Sequence, residues 1–324
     1  MSSQNSPARV YFWEDNASSV FLTTYSLICC LSSLILPISY CIFPRWRREL
    51  NSPKHLLCAM SFCGVLGFSY MLPDTPRAWC GFQFFGLIVS FNVFSMYHGC
   101  TMIETWVVMS GAFRGESEQQ CALLSLSQKW TKIRLVVYHS VVLLVTVVTV
   151  AYCFATSEYG SIYKTKQNAW CYHGNPTDML IFGYLPRWIV MTINVIFTLK
   201  IYFLLRRATS VIRGTFVEVE ETTGTPDPDL VEMTARTKQA SWRYIIEGSV
   251  HVLLMTPASI RRFDYHLATP LEPVALVCNF LVKFVFAVLW ISTDPTLRLC
   301  WLQLFRKIGG KCAKIKRVAA GSTV

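Results

Sequence analysis

Seven stretches of this chain are apolar over the length a helix needs to cross the hydrocarbon core of a bilayer, about 20 residues. They fall near 18–43, 54–72, 80–112, 133–155, 179–205, 242–264 and 273–293. In lipid every backbone N–H and C=O must find its partner inside the protein, which leaves helices or a closed barrel. Runs this long and continuous select helices. Composition agrees, with 53% hydrophobic and only 15% charged residues, against about 25% charged in soluble domains. A soluble globular enzyme is excluded. The expected class is an all-α membrane protein, a seven-transmembrane helix bundle followed by a short amphipathic eighth helix.

The net charge of +11 does not point to nucleic acid, because the basic residues avoid the apolar runs. The segments 44–54, 113–134 and 206–243 and the tail from Arg298 hold 21 of the 30 Lys and Arg residues. The other side holds six, Arg9, Arg77, Lys164, Lys166, Arg261 and Arg262. The positive-inside rule then predicts an extracellular N-terminus (1–17) and a cytoplasmic C-terminus, with a multi-pass chain in the plasma membrane. The first apolar run is read as its own signal anchor. Asn16-Ala17-Ser18 is a glycosylation sequon on the outer side.

The long loop 206–241, dense in acidic residues and broken by Thr225-Pro226-Asp227-Pro228, reads as a mobile connector with Thr222, Thr223 and Thr225 as candidate phosphosites. After Asp294, residues 294–308 form an amphipathic segment suited to the bilayer surface, and 309–324 a basic tail in which Cys312 is a lipidation candidate. Of the 13 cysteines, only Cys80 and Cys171 fall clearly on the oxidising face, and a disulfide between them would tie the outer loop over the bundle. No cysteine or histidine cluster has metal-ligand spacing, and no cofactor motif is present.

Ionisable residues inside membrane helices are functional candidates because each costs several kcal/mol unless paired or hydrated, roughly 3 kcal/mol at the bilayer centre. They sort by depth into two layers. The outer and middle layer holds Arg187, Asn194, Asn279 and Lys283, with Arg261 and Arg262 approaching from the end of the sixth span and Trp79, Trp170 and Trp188 nearby. Arg187 and Asn194 are spaced to share a face, as are Asn279 and Lys283. Such a cavity would suit an anionic or strongly polar ligand. The same residues also fit a structural role, with Arg187 on backbone carbonyls and Lys283 on an interior acceptor. The inner layer holds Glu104, Lys200, Glu247 and His251, where an ion pair of Glu247 with Lys200 or Arg207 would hold the inner helix ends in one of two states. Pro186 and Pro257 permit kinks in the fifth and sixth spans.

Several local motifs carry a family resemblance: Trp170-Cys171, Tyr184-Leu185-Pro186-Arg187-Trp188-Ile189, Pro257-Ala258-Ser259-Ile260-Arg261-Arg262 and Asp294-Pro295-Thr296-Leu297-Arg298. In these the chain, from about 54 to 306, resembles the cAMP-receptor-like group of G-protein-coupled receptors, which includes slime-mould cAMP receptors and fungal receptors assigned to carbon-source sensing. The resemblance implies signal transfer from an extracellular small molecule to a heterotrimeric G protein (Gα), often feeding cAMP and protein kinase A. The third span ends Met109-Ser110-Gly111 with no Asp-Arg-Tyr, and Asp294-Pro295 stands where rhodopsin-like receptors carry Asn-Pro-x-x-Tyr. Those receptors' switch residues therefore do not transfer.

A transporter would need internal repeats, which are not evident. A retinal protein using Lys283 would need a carboxylate at similar depth, whereas one turn before Lys283 stands Asn279. No nucleophile–base pair or phosphate loop makes the chain an enzyme. Epitope tags at the two ends of the chain are expected on opposite faces of the membrane in intact and permeabilised cells. Finding both tags on one face would remove the odd number of spans and with it the receptor reading.

Overall fold

The computed structural model of the protein describes residues 16–48, 52–65, 85–86, 89–112, 120–156, 162–163, 172–173, 177, 179–223, 228–263 and 265–321. Helix α1 (Asn16–Ser33) and α2 (Ile35–Ile42) make the first span. It breaks at Leu34, three residues before Pro37, whose ring would clash with the Ser33 carbonyl in a continuous helix. A short α3 (Pro44–Arg48) leads to α4 (Ser52–Val65), the second span. The third span opens with a π-helical turn, Val89–Val93, and continues as α5 (Phe94–Ala112). Helix α6 (Gln120–Thr156) is the fourth, α7 (Leu185–Thr223) the fifth, α8 (Pro228–Phe263) the sixth and α9 (Tyr265–Thr293) the seventh. Helix α10 (Pro295–Gly321) turns off α9 at 90°.

Helices α6, α7, α8 and α9 are longer than their apolar runs, because a backbone ladder once started continues through helix-favouring polar residues. Much of 206–241, read from sequence as a connector, is therefore helix: α7 runs to Thr223 and α8 starts at Pro228, with proline at its first position, where a missing N–H costs nothing. Helix α10 likewise extends through most of the basic tail. Between α6 and α7, β1 (Ile162–Tyr163) pairs antiparallel with β2 (Tyr172–His173), a small departure from a purely helical chain. Cys80, Cys171 and Trp170 lie outside the described residues, as do the side chains of Asn16, Arg261, Arg262 and Cys312.

Among the described residues, two helical stretches can cross a membrane by length and apolarity alone, Lys129–Tyr152 and Leu180–Arg207, and Val277–Thr293 with Pro295–Ile308 makes a third if the bent pair is one span. The others are shorter or carry buried charge: α5 holds Glu104, and α8 holds Arg243 and Glu247. Those groups can sit there because the bundle, not lipid, surrounds them. Helix α8 packs between α7 and α9, α5 between α4 and α7, and α1 against α9. Where α7 meets α8 the helices come close enough that a Cβ on Gly248 would run into the Thr198 hydroxyl. Helix α6 lies at the edge and exposes Val136, Leu143, Leu144 and Val147, the apolar face expected against acyl chains.

The right-angle turn into α10 is built by Asp294 and Pro295. Asp294 Oδ1 accepts the Leu297 N–H at 2.9 Å, the N-cap bond. Its Oδ2 meets Lys54 Nζ of α4 at 2.9 Å and Arg243 of α8 at 4.0 Å. On the inward face of α10, Leu297 is buried and Trp301 Nε1 donates to Ser39 of α2 at 3.0 Å. The outward face shows Leu299, Leu302 and Phe305 beside exposed Arg298 and Arg306.

Burial alone would push the Asp294 carboxyl up, but the Leu297 N–H, Lys54 and Arg243 outweigh it and hold the group below the ordinary carboxylate range. A carboxyl whose pKa is lower in the folded chain gives stability that is present above about pH 4 and is lost as pH falls through the folded value. Asp294→Asn keeps the cap but not the charge. Its thermal unfolding in detergent should come earlier than wild type at pH 7, by about 1–3 kcal/mol, with the two proteins converging in strong acid. Asp294→Ala should lose about 1 kcal/mol more with the cap.

Candidate functional site

Two clusters of buried polar side chains stand at different depths. The end of the bundle bearing α3, α10 and most basic residues is called here the basic end.

The cluster nearer the other end begins with a proline. Pro186 has no N–H to give to the carbonyl of Phe182, four residues back, and the backbone before it widens into a π-helical turn, Met179–Tyr184. Asn92, on the π turn of the third span, supplies the missing donor: its Nδ2 meets the Phe182 oxygen at 2.7 Å. Its Oδ1 in turn accepts Arg187 Nε at 2.9 Å. One asparagine thus answers a carbonyl that proline leaves short and fixes the guanidinium. Arg187 lies 5.0 Å from the centre of the Phe91 ring and 5.8 Å from that of Tyr184.

Lys283 approaches the same Phe91 ring, with Nζ 4.8 Å from its centre and 5.3 Å from that of Phe280. Its nitrogen donates to the Gly64 carbonyl of α4 at 3.1 Å and to Ser90 Oγ of the π turn. The lysine is only 2% exposed, and its hydrogen-bond partners are neutral. The two cationic residues therefore converge on one aromatic ring, held by π-helical turns of five and six residues that a regular helix would not provide.

Arg187 and Asn194, spaced to share a face of α7, take different partners. Asn194 lies two turns deeper, where its amide nitrogen is 2.7 Å from His251 Nδ1. His98 of α5 stacks on His251 with ring centres 4.3 Å apart and on Phe286 of α9 at 5.0 Å. Asn194 also lies beside His98 without meeting it in a hydrogen bond of normal length. Asn279 is buried one turn from Lys283, and its side-chain oxygen has no protein partner among the described residues.

Toward the basic end, Glu104 is fully buried, and three side chains give it four hydrogen bonds. Arg134 of α6 gives a two-pronged bond, Nε to Oε2 at 2.8 Å and Nη2 to Oε1 at 2.9 Å. Ser52 of α4 donates to Oε1 at 2.6 Å and Tyr138 of α6 to Oε2 at 3.2 Å. The second carboxylate, Glu247, accepts Trp290 Nε1 at 3.3 Å, and Arg243 lies over the same indole at 3.8 Å.

The ion pair of Glu247 with Lys200 or Arg207 anticipated from sequence is thus not present. Helical phase explains it: Lys200 and Arg207 lie on the exposed face of α7, whereas Glu247 points into the bundle. Arg134, counted from sequence as a loop residue, is the ion partner that was missed, together with Ser90, Asn92, His98 and Trp290. A partial signal existed, since Arg134 and Tyr138 stand four apart at the start of an apolar run and so share a face.

Compared by sequence, the chain matches no family model and no curated protein. Compared by structure, it is similar to the crystal structure of squid rhodopsin, with a TM-score of 0.61, 12% sequence identity, and coverage of 91% of this chain and 87% of that chain. The protein has the seven-helix fold of rhodopsin.

Arg134→Ala would leave Glu104 buried without its cation, which costs about 3–5 kcal/mol for such a pair. The variant should unfold well below wild type in a detergent thermal-shift assay. Adding Glu104→Gln in the same chain should recover a large part of the loss, because the orphaned charge is then gone.

Proposed function

We propose that this chain is a G-protein-coupled receptor of the cAMP-receptor-like kind, with its N-terminus outside the plasma membrane and its basic end in the cytoplasm. An extracellular small molecule, anionic or strongly polar, binds through Arg187 and Lys283, with Asn279, Asn194, Arg261 and Trp170 contributing on the sequence reading. The helix ends around Glu104, Glu247 and Asp294 engage a heterotrimeric G protein and drive nucleotide exchange on its Gα subunit, in a pathway that feeds cAMP and protein kinase A.

The observation that carries this reading is the placement of Arg187 and Lys283 against Phe91 in a rhodopsin-fold bundle whose opposite end holds a separate buried polar cluster. Two sites joined by the same rigid helices are what a linkage between ligand and effector requires. The lean of the basic residues to one end supports the orientation.

A cell assay reading cAMP or Gα activation against sugars, amino acids, nucleotides and lipids tests the proposal. For the activating ligand, Arg187→Ala and Lys283→Ala should each weaken potency about tenfold or more while surface expression is kept, as expected for a lost charge-assisted contact. Unchanged potency in both variants would overturn the cationic site. Uptake of substrate that persists without any G protein would make the chain a transporter instead.

A further inference from the structure

Helix α7 carries one charge in the wrong place for a bundle. Ile196, Lys200, Phe203 and Arg207 are spaced to share a face, and all four are exposed. This face belongs to Leu180–Arg207, a stretch apolar and long enough to span a membrane. In a spanning helix, lipid is the neighbour of such a face. Lys200 does not fold back to Glu247. Its Nζ rests 4.9 Å from the ring centres of both Trp106 of α5 and Phe197 of α7, with no carboxylate partner among the described residues.

Those rings do not settle the charge. A lysine in the hydrocarbon costs roughly 3 kcal/mol at the centre, and a cation–π contact returns about 0.5–2 kcal/mol without neutralising it. Trp106 and Phe197 meet edge to face at 5.7 Å where α5 packs on α7. Arg207 stands seven residues on, about 10 Å along the helix toward the basic end, where headgroups begin. Two cations separated along an apolar, aromatic face match the phosphate and headgroup of a lipid lying on α7, with its acyl chains running on over Ile196.

We propose that the outward face of α7 at the basic end, bordered by Trp106 of α5, is a binding site for an anionic phospholipid, its phosphate taken by Lys200 and its headgroup by Arg207. The charge complementarity is with lipid of the basic-end leaflet, and the site stands whether or not the receptor reading holds. Native mass spectrometry of the full chain tests it, with phosphatidylglycerol and phosphatidylcholine added in equal amounts. Wild type should retain a phosphatidylglycerol adduct in preference to phosphatidylcholine. Lys200→Gln and Arg207→Gln should each weaken that adduct about fivefold, the effect of one charge near a lipid surface. Lys200→Arg should keep it, which separates charge from loss of folding. A chain with Arg298, Arg306 and Lys307 changed to Gln should also keep it, separating the α7 face from the strip on α10.

Equal retention of both lipids by wild type would overturn the proposal, as would glutamine variants that hold phosphatidylglycerol as tightly as wild type. Displacement of the lipid by inorganic phosphate, or a second copy of the chain crosslinked through residue 200, would overturn it too.

Discussion

A carboxylate buried among helices must be answered on every lone pair, and Glu104 of α5 meets that demand by drawing in two neighbouring helices. Ser52 reaches it from α4, and Arg134 and Tyr138 reach it from α6. The requirement is geometric as much as energetic, since a two-pronged guanidinium bond is satisfied only over a narrow range of helix rotations. Helix α6 otherwise lies at the rim with much of its apolar surface outward. Apolar packing is weakly directional in lipid, where the surroundings are as greasy as the side chains. The bonds to Glu104 therefore set the position of α6 more firmly than its hydrophobic contacts do.

The same logic of unanswered backbone groups explains how the cationic site is assembled. Pro186 removes one N–H, the turn before it widens, and Asn92 crosses from the third span to serve the Phe182 carbonyl. Once that amide is committed, its oxygen has a fixed direction, and Arg187 is held in it. The π turn at 89–93 presents Ser90, Phe91 and Asn92 in succession, bringing Lys283 and Arg187 to one ring. A proline in the fifth span thus dictates the geometry of a site made largely by the third and seventh.

The bundle class was legible in the sequence, because apolar run length is a one-dimensional quantity. The rhodopsin fold bears it out. Partnerships were not legible. Glu247 and Lys200 lie at similar depth, yet they point in different directions, and the true neighbour of Glu247 is the indole of Trp290. Arg134 looked like loop because it precedes the apolar run, although backbone hydrogen bonding carries α6 back to Gln120. Asn92 gave no sign at all, since nothing in a single sequence announces a π turn. Asp294 was the readable exception: an Asp-Pro pair ahead of an amphipathic run has the chemistry of a helix start.

Between the two clusters runs a column that neither end fully satisfies. His98, His251 and Asn194 are completely buried, yet both ring nitrogens of His98, Nε2 of His251 and Oδ1 of Asn194 have no protein partner among the described residues. One turn from His251, Glu247 uses only one of its two oxygens. Each such group costs about 1–3 kcal/mol relative to one that is bonded. Helices α5, α7, α8 and α9 all contribute to this column or pack on it, and α8 carries Pro257, which loosens its backbone ladder just beyond His251. A fully bonded core would resist any rotation of α8, because each movement would break bonds that are made. A core with this many unmade bonds loses less on moving and can gain where a rotation brings partners together. On the receptor reading, that places the least resistance to a change of state in the column between the ligand residues and the basic end, where a two-state element has to be for one end to sense the other.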